Sequence, residues 1–159
     1  MRRIDQLLQE YGDSHQNQTN KLIHWICVPL IFLSVVGFIW SIPSIFIQEI
    51  LSYHNPYLNW ASIILGVVVF YYLSLSWQLG LGMAVFSVIC LFIVRQVELL
   101  GIAPVWQIAL IVFVLAWIGQ FYGHKVEGKK PSFFKDLQFL LIGPAWLMHF
   151  IYKKLDIPY

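Results

Sequence analysis

Five histidines, His15, His24, His54, His124 and His149, carry most of the chemistry open to this chain. Three of them fall in two short polar groups. The first reads His15-x-Asn17-x2-Asn20-x3-His24. If residues 17–24 are helical, Asn17, Asn20 and His24 share one face. The second reads Gln120-x2-Gly123-His124-x2-Glu127, and puts His124 and Glu127 on one face if the helix continues. Imidazole nitrogens ligate zinc, copper, iron and nickel, and histidine or carboxylate sites with open positions suit non-haem Fe(II). Asn17, Asn20, Gln120 and Glu127 are the right types to orient such ligands or to hold the polar head of a substrate. The spacing of His15 and His24 is not a metal signature by itself. The bland alternative is an interfacial imidazole and a solvated Glu127 beside Lys129 and Lys130.

The other candidates carry less. His54, in Ser52-Tyr53-His54-Asn55-Pro56, reads as a loop residue. His149, in Trp146-Leu147-Met148-His149, becomes a further ligand only if a broken helix returns it to the same layer. Cys27 and Cys90 lie in apolar stretches and read as buried small hydrophobes, with no CxxC pair.

A very apolar chain must position these groups. Of 159 residues 59% are hydrophobic and only 11% charged, against roughly 25% charged in an average soluble domain. That excludes a disordered chain and argues against a soluble domain, which needs more polar surface. A net charge of +2 without an Arg/Lys stripe gives no reason to expect nucleic acid. Four runs approach the length of about 20 apolar residues that a membrane span needs: residues 22–40, 57–77, 79–94 and 102–122. The third is the shortest, holds Gly80 and Gly82, and ends at Arg95 and Glu98. A fifth stretch, 133–152, is shortened by Lys135 and Asp136 and interrupted at Gly143-Pro144, so it either spans or inserts as a broken helix. Residues 1–11 place Ile4, Leu7, Leu8 and Tyr11 on one helical face, which predicts an amphipathic helix on the membrane or on a partner helix. The expected fold is therefore all-α: a polytopic membrane helix bundle of four spans, an N-terminal amphipathic helix and a C-terminal broken or fifth helix, forming a single integral membrane domain over residues 1–159.

Lysine and arginine orient it. Arg2, Arg3 and Lys21 precede the first span, Lys125, Lys129, Lys130 and Lys135 follow the fourth, and loop 41–56 has none. Both flanks are expected to be cytoplasmic. An even number of spans separates them, so the two histidine groups should meet on one membrane face. Lys153 and Lys154 favour a cytoplasmic C-terminus, which argues mildly that the fifth segment does not cross.

These groups resemble the signature of a family of small membrane 2-hydroxy fatty acid dioxygenases, whose fungal member degrades phytosphingosine to odd-chain fatty acids. The resemblance rests on Tyr11-x3-His15-x-Asn17-x2-Asn20-x3-His24-x4-Pro29, on Gln120-Phe121-x-Gly123-His124-x2-Glu127-Gly128-Lys129-Lys130-Pro131, and on Gly143-Pro144. Gln16 stands where the fungal pattern has a second histidine. The resemblance implies an enzyme, an oxidoreductase dependent on ferrous iron, Fe(2+), with His15, His24 and His124 as metal ligands and catalytic centre. It implies long-chain 2-hydroxy fatty acid and O2 as substrates and α-oxidation to the fatty acid one carbon shorter. It places the chain in a bacterial inner membrane, or in the endoplasmic reticulum of a eukaryote, among membrane lipid. Two rival classes stay open at this point: a non-catalytic lipid-binding or scaffold protein whose His and Asn side chains join helices, and a zinc-dependent lipid hydrolase. No GxSxG, P-loop or dinucleotide fingerprint is present.

Overall fold

The computed structural model describes residues 2–13, 15–128 and 139–158. Among the described residues seven helices follow in order: α1 (Arg3–Gly12), α2 (Gln18–Trp40), α3 (Ile45–Ile50), α4 (Trp60–Leu75), α5 (Trp77–Leu100), α6 (Val105–Glu127) and α7 (Ile142–Lys154). There are no strands among the described residues. The expectation of an all-α protein holds.

The helix boundaries have local causes. Asn17 caps α2 by accepting from the amides of Thr19 and Asn20. Asn59 caps α4 through the amide of Ser62 at 3.1 Å. One extended residue, Ser76 (φ −162°, ψ 124°), separates α4 from α5 and caps the latter. The reversal is tight enough that a Cβ on Gly80 would lie 2.8 Å from the Cα of Leu73. Gly101 and Gly128 stop α5 and α6 at φ +62° and +74°, the left-handed region glycine enters without strain.

Three helices, α2, α5 and α6, are long and apolar enough to cross a membrane. The partition between the second and third runs differs from the sequence expectation. The 57–77 run yields only the 16 residues of α4, about 24 Å of helix against a hydrocarbon core of about 30 Å. The 79–94 run, expected to be the shorter, extends to the 24 residues of α5. The reason is local: Asn59 and Ser76 cap inward of the apolar limits, while Arg95 and Glu98 pair across one helical turn and carry α5 onward. The second half of the fifth stretch forms α7, whose 13 residues fall short of a span. Residues 133–138 of that stretch, with Lys135 and Asp136, lie outside the described residues, as do Lys129 and Lys130 before it.

Packing sets the layout. α2 and α6 lie against each other along most of their length, with small residues at the seam. A Cβ on Gly119 would fall 2.7 Å from Cys27 Sγ, and one on Gly37 3.1 Å from Ala109 Cβ. α4 and α5 form a hairpin whose far end packs Ala61, Leu65, Cys90 and Val94 on Phe32, Val36 and Trp40 of α2. α1 turns Ile4, Leu8 and Tyr11 onto Ile142, Trp146 and Leu147 of α7. The amphipathic N-terminus thus lies on a partner helix. Tyr152 donates to the carbonyl of Gln78 at 2.7 Å and pins α7 to the start of α5.

Candidate metal centre

The start of α2, the end of α6 and the end of α1 meet at one pole of the bundle. There His15, His24 and His124 converge, with one ligand nitrogen from each within 4.8 Å of the others. Ring centroids lie 4.2 Å apart for His15 and His24, 5.0 Å for His24 and His124, and 5.5 Å for His15 and His124. All three are buried, at 2%, 1% and 4% exposure. Three imidazoles hidden together at the edge of an apolar bundle need a common partner or a dense hydrogen-bond network, since burying polar rings is otherwise costly.

Each ring is held by its own element. His24 sits one turn inside α2, and its Nδ1–H donates to the carbonyl of Asn20 at 2.9 Å. His15 follows α1, and its Nδ1–H donates to the carbonyl of Tyr11 at 2.7 Å. A carbonyl only accepts, so both Nδ1 atoms carry the proton and both Nε2 atoms present a lone pair. That is the tautomer a metal ligand needs, fixed by a hydrogen bond on the opposite ring nitrogen. Tyr11 also stacks flat on His15 (centroids 4.3 Å, planes 12° apart), and Trp146 flanks it at 5.4 Å. His124 occupies the last turn of α6.

Glu127 works beside the histidines and is not among the clustered ligands. Its carboxylate accepts from the amide of Gln16 at 2.8 Å, from the amide of Asn17 at 2.9 Å and from Asn20 Nδ2 at 3.0 Å. It therefore ties the link between α1 and α2 to the end of α6. Asn17 is the cap of α2. Asn20, fully buried, joins Glu127 through its amide and His24 through its carbonyl. Its Oδ1 has no hydrogen-bond partner among the described residues. Gly123 faces that oxygen so closely that any Cβ there would collide with it. Gln120 is buried one turn before His124 and lines a small cavity of about 20 Å³, room for about one water, with Tyr11, Val28, Ile31, Trp117 and Phe139.

His149 lies apart from the cluster, half-buried with its ring edge on Phe150 at 5.3 Å. Burial, and then the charge of Lys153, hold its imidazole below the ordinary range. His54 is an exposed loop residue. Cys27 and Cys90 are buried free thiols. Sequence reasoning placed Tyr11 and Gly123 in the motifs without giving them a role in the site, and it did not connect Trp146 with the site at all. Tyr11 stands four before His15, a spacing that would have shown its carbonyl within reach of the ring had the helix end been known.

The donor set suits a borderline divalent metal: three imidazole nitrogens, with no thiolate and no carboxylate clustered with them among the described residues. No curated protein and no solved structure matches the chain. A family model described as 2-hydroxy-palmitic acid dioxygenase Mpo1-like matches residues 1–155, and the chain, with three of its five histidines gathered at one pole of an apolar helical bundle, belongs to that family.

Proposed function

We propose that this protein is an Fe(II)-dependent membrane dioxygenase that cleaves long-chain 2-hydroxy fatty acids by α-oxidation to the fatty acid one carbon shorter. The observation that carries the proposal is the convergence of three buried imidazoles, two of them in the ligand tautomer, in a chain of this family. His15, His24 and His124 would hold the iron, and a bound Fe(II) would supply the Lewis-acid and redox chemistry that a dioxygenase needs.

The remaining work belongs to the protein. The carbonyls of Tyr11 and Asn20 keep His15 and His24 in the binding tautomer. Tyr11 and Trp146 block rotation of the His15 ring. Glu127 and Asn20 keep His24 and the segment carrying His15 in register with His124. The apolar surround excludes water and keeps the electrostatics of the site strong. The acyl tail is buried within the bilayer, where each methylene contributes about 0.8 kcal/mol.

We place the whole chain in the membrane as one domain, with the histidine pole and the N-terminus at the cytoplasmic face. Arg2, Arg3, Lys21 and Lys125 lie at that pole, and loop 41–56 at the other has no lysine or arginine.

The test is elemental analysis after anaerobic purification in mild detergent, followed by O2 uptake with 2-hydroxypalmitate. Near-stoichiometric iron that is lost in His24→Ala, with uptake and a shortened acid as product, is the expected result. Zinc in place of iron would move the reading to a hydrolase. An absence of bound metal after Fe(II) reconstitution would leave the histidines as helix-joining groups in a lipid-binding protein.

A further inference from the structure

A groove lies between α2, α5 and α7, outside the histidine cluster. Trp25 and Pro29 of α2, Phe86 of α5, and Pro144, Met148 and Ile151 of α7 line it. No charged side chain faces it, and it encloses about 100 Å³, against about 150 Å³ in a closed apolar cavity that accepts a benzene ring. Trp25 is 39% and Ile151 37% exposed, so the groove is open along one side and a chain can lie in it lengthwise. Val28 and Gly143 separate it from the small cavity beside Gln120, which they line. The two are in close contact, since a Cβ on Gly143 would fall 3.0 Å from Val28 Cγ1.

The direction of the helices gives the groove a polar end. α7 begins against Val28, one turn beyond His24. Its Phe150 then faces Trp25, with ring centroids 6.3 Å apart, and its Tyr152 reaches the start of α5. α7 therefore runs back along α2 towards the histidine pole. Lys21 stands four residues before Trp25, and Lys154 three after Ile151, so the two lysines continue the groove-lining faces of α2 and α7 at that pole. Neither forms an ion pair with a described residue. An apolar channel ending at two ammonium groups matches an amphiphile with one hydrocarbon tail and one anionic head. Long lysine side chains at a helix end reach the membrane–water boundary, where such a head lies. We propose that this groove is a second lipid site, beside the metal centre and separate from it, which takes a free long-chain fatty acid with its carboxylate at Lys21 and Lys154. This rests on the reading under Proposed function, which makes the fatty acid the product that is released. A phospholipid is a poorer match, because a groove one chain wide leaves its second chain without a seat.

The experiment uses palmitate carrying a mid-chain diazirine, irradiated with the full-length protein in phosphatidylcholine nanodiscs, with the labelled peptides identified by mass spectrometry. Label should gather around Trp25 and around Met148 to Ile151. Unlabelled palmitate should displace it, and phosphatidylglycerol should not. The double variant Lys21→Gln, Lys154→Gln should weaken palmitate binding about fivefold, roughly the worth of one exposed ion pair, and leave the binding of hexadecanol, which has no charge, unchanged. Ile151→Trp, which fills the groove, should weaken both. Ile151→Phe repeats that change should the tryptophan variant fail to fold. Label spread evenly over the lipid-facing sides of α4 and α6 would overturn the proposal. So would equal displacement by phosphatidylglycerol, or unchanged palmitate binding in the lysine variant. The outcome is separable from the catalytic reading. Labelling of the groove that persists in His24→Ala, in a protein that takes up no O2, keeps this site without the dioxygenase, whereas turnover of 2-hydroxypalmitate with no label in the groove removes the site alone.

Discussion

Glu127 accepts a hydrogen bond from Asn20 Nδ2 at 3.0 Å although the two stand 107 positions apart. Asn20 in turn offers its carbonyl to His24. One carboxylate at the end of α6 thereby sets the first turn of α2, the ring of His24 and, through the amides of Gln16 and Asn17, the segment that carries His15. Charge-assisted bonds of this kind are stronger than neutral ones.

Glu127→Ala would leave three donors without their acceptor. Metal affinity should drop by about 10- to 100-fold, the usual cost of losing a group that orients ligands, while the helical content stays. Glu127→Gln, which keeps one acceptor oxygen, should fall between. A metal titration followed by circular dichroism checks both. Wild-type affinity in Glu127→Ala would show that the clamp does not support the histidines.

The histidines should separate cleanly by role. His15→Ala, His24→Ala and His124→Ala should each lose bound metal, and His149→Ala should keep it, because His149 lies outside the cluster. Elemental analysis of the four variants decides this. Metal lost from His149→Ala but retained in His15→Ala would contradict the ligand set.

Gly123→Ala should destabilise the protein by about 1–3 kcal/mol, the common cost of overpacking, since its Cβ meets Asn20 and lies 3.4 Å from Ile23 Cγ2. Gly66→Ala meets nothing within 4 Å and should be neutral or stabilising by up to about 1 kcal/mol, through helix propensity. Thermal unfolding in the same detergent compares the pair. Equal shifts would argue that the α2–α6 seam is looser than drawn.

Leu8→Ala should loosen α1 from α7. Leu8 is 5% exposed in the cluster it shares with Trp146 and Leu147, and such truncations cost about 2–5 kcal/mol. Because α1 carries Tyr11 and leads into His15, the variant should expose the N-terminus to protease and weaken metal retention together. Proteolysis without metal loss would uncouple α1 from the site.

Much of this was legible in the sequence, for physical reasons. Apolar runs of span length dictate helices, because a backbone in lipid must satisfy its own hydrogen bonds. An even number of passes between the two polar groups brought His15, His24 and His124 to one pole. The Asn17 cap follows from its place just before the apolar run. The tertiary structure alone decided the rest. Whether Glu127 ligates or clamps depends on the three donors that α2 brings to it. Whether His149 joins the cluster depends on how α7 packs on α1 and α5. The small cavity that Gln120 lines exists only because α2, α6 and residues 139–143 close around it. Local sequence specifies caps and faces, since those act over one turn. It cannot specify which faces meet, since that is settled by close packing between residues some hundred positions apart.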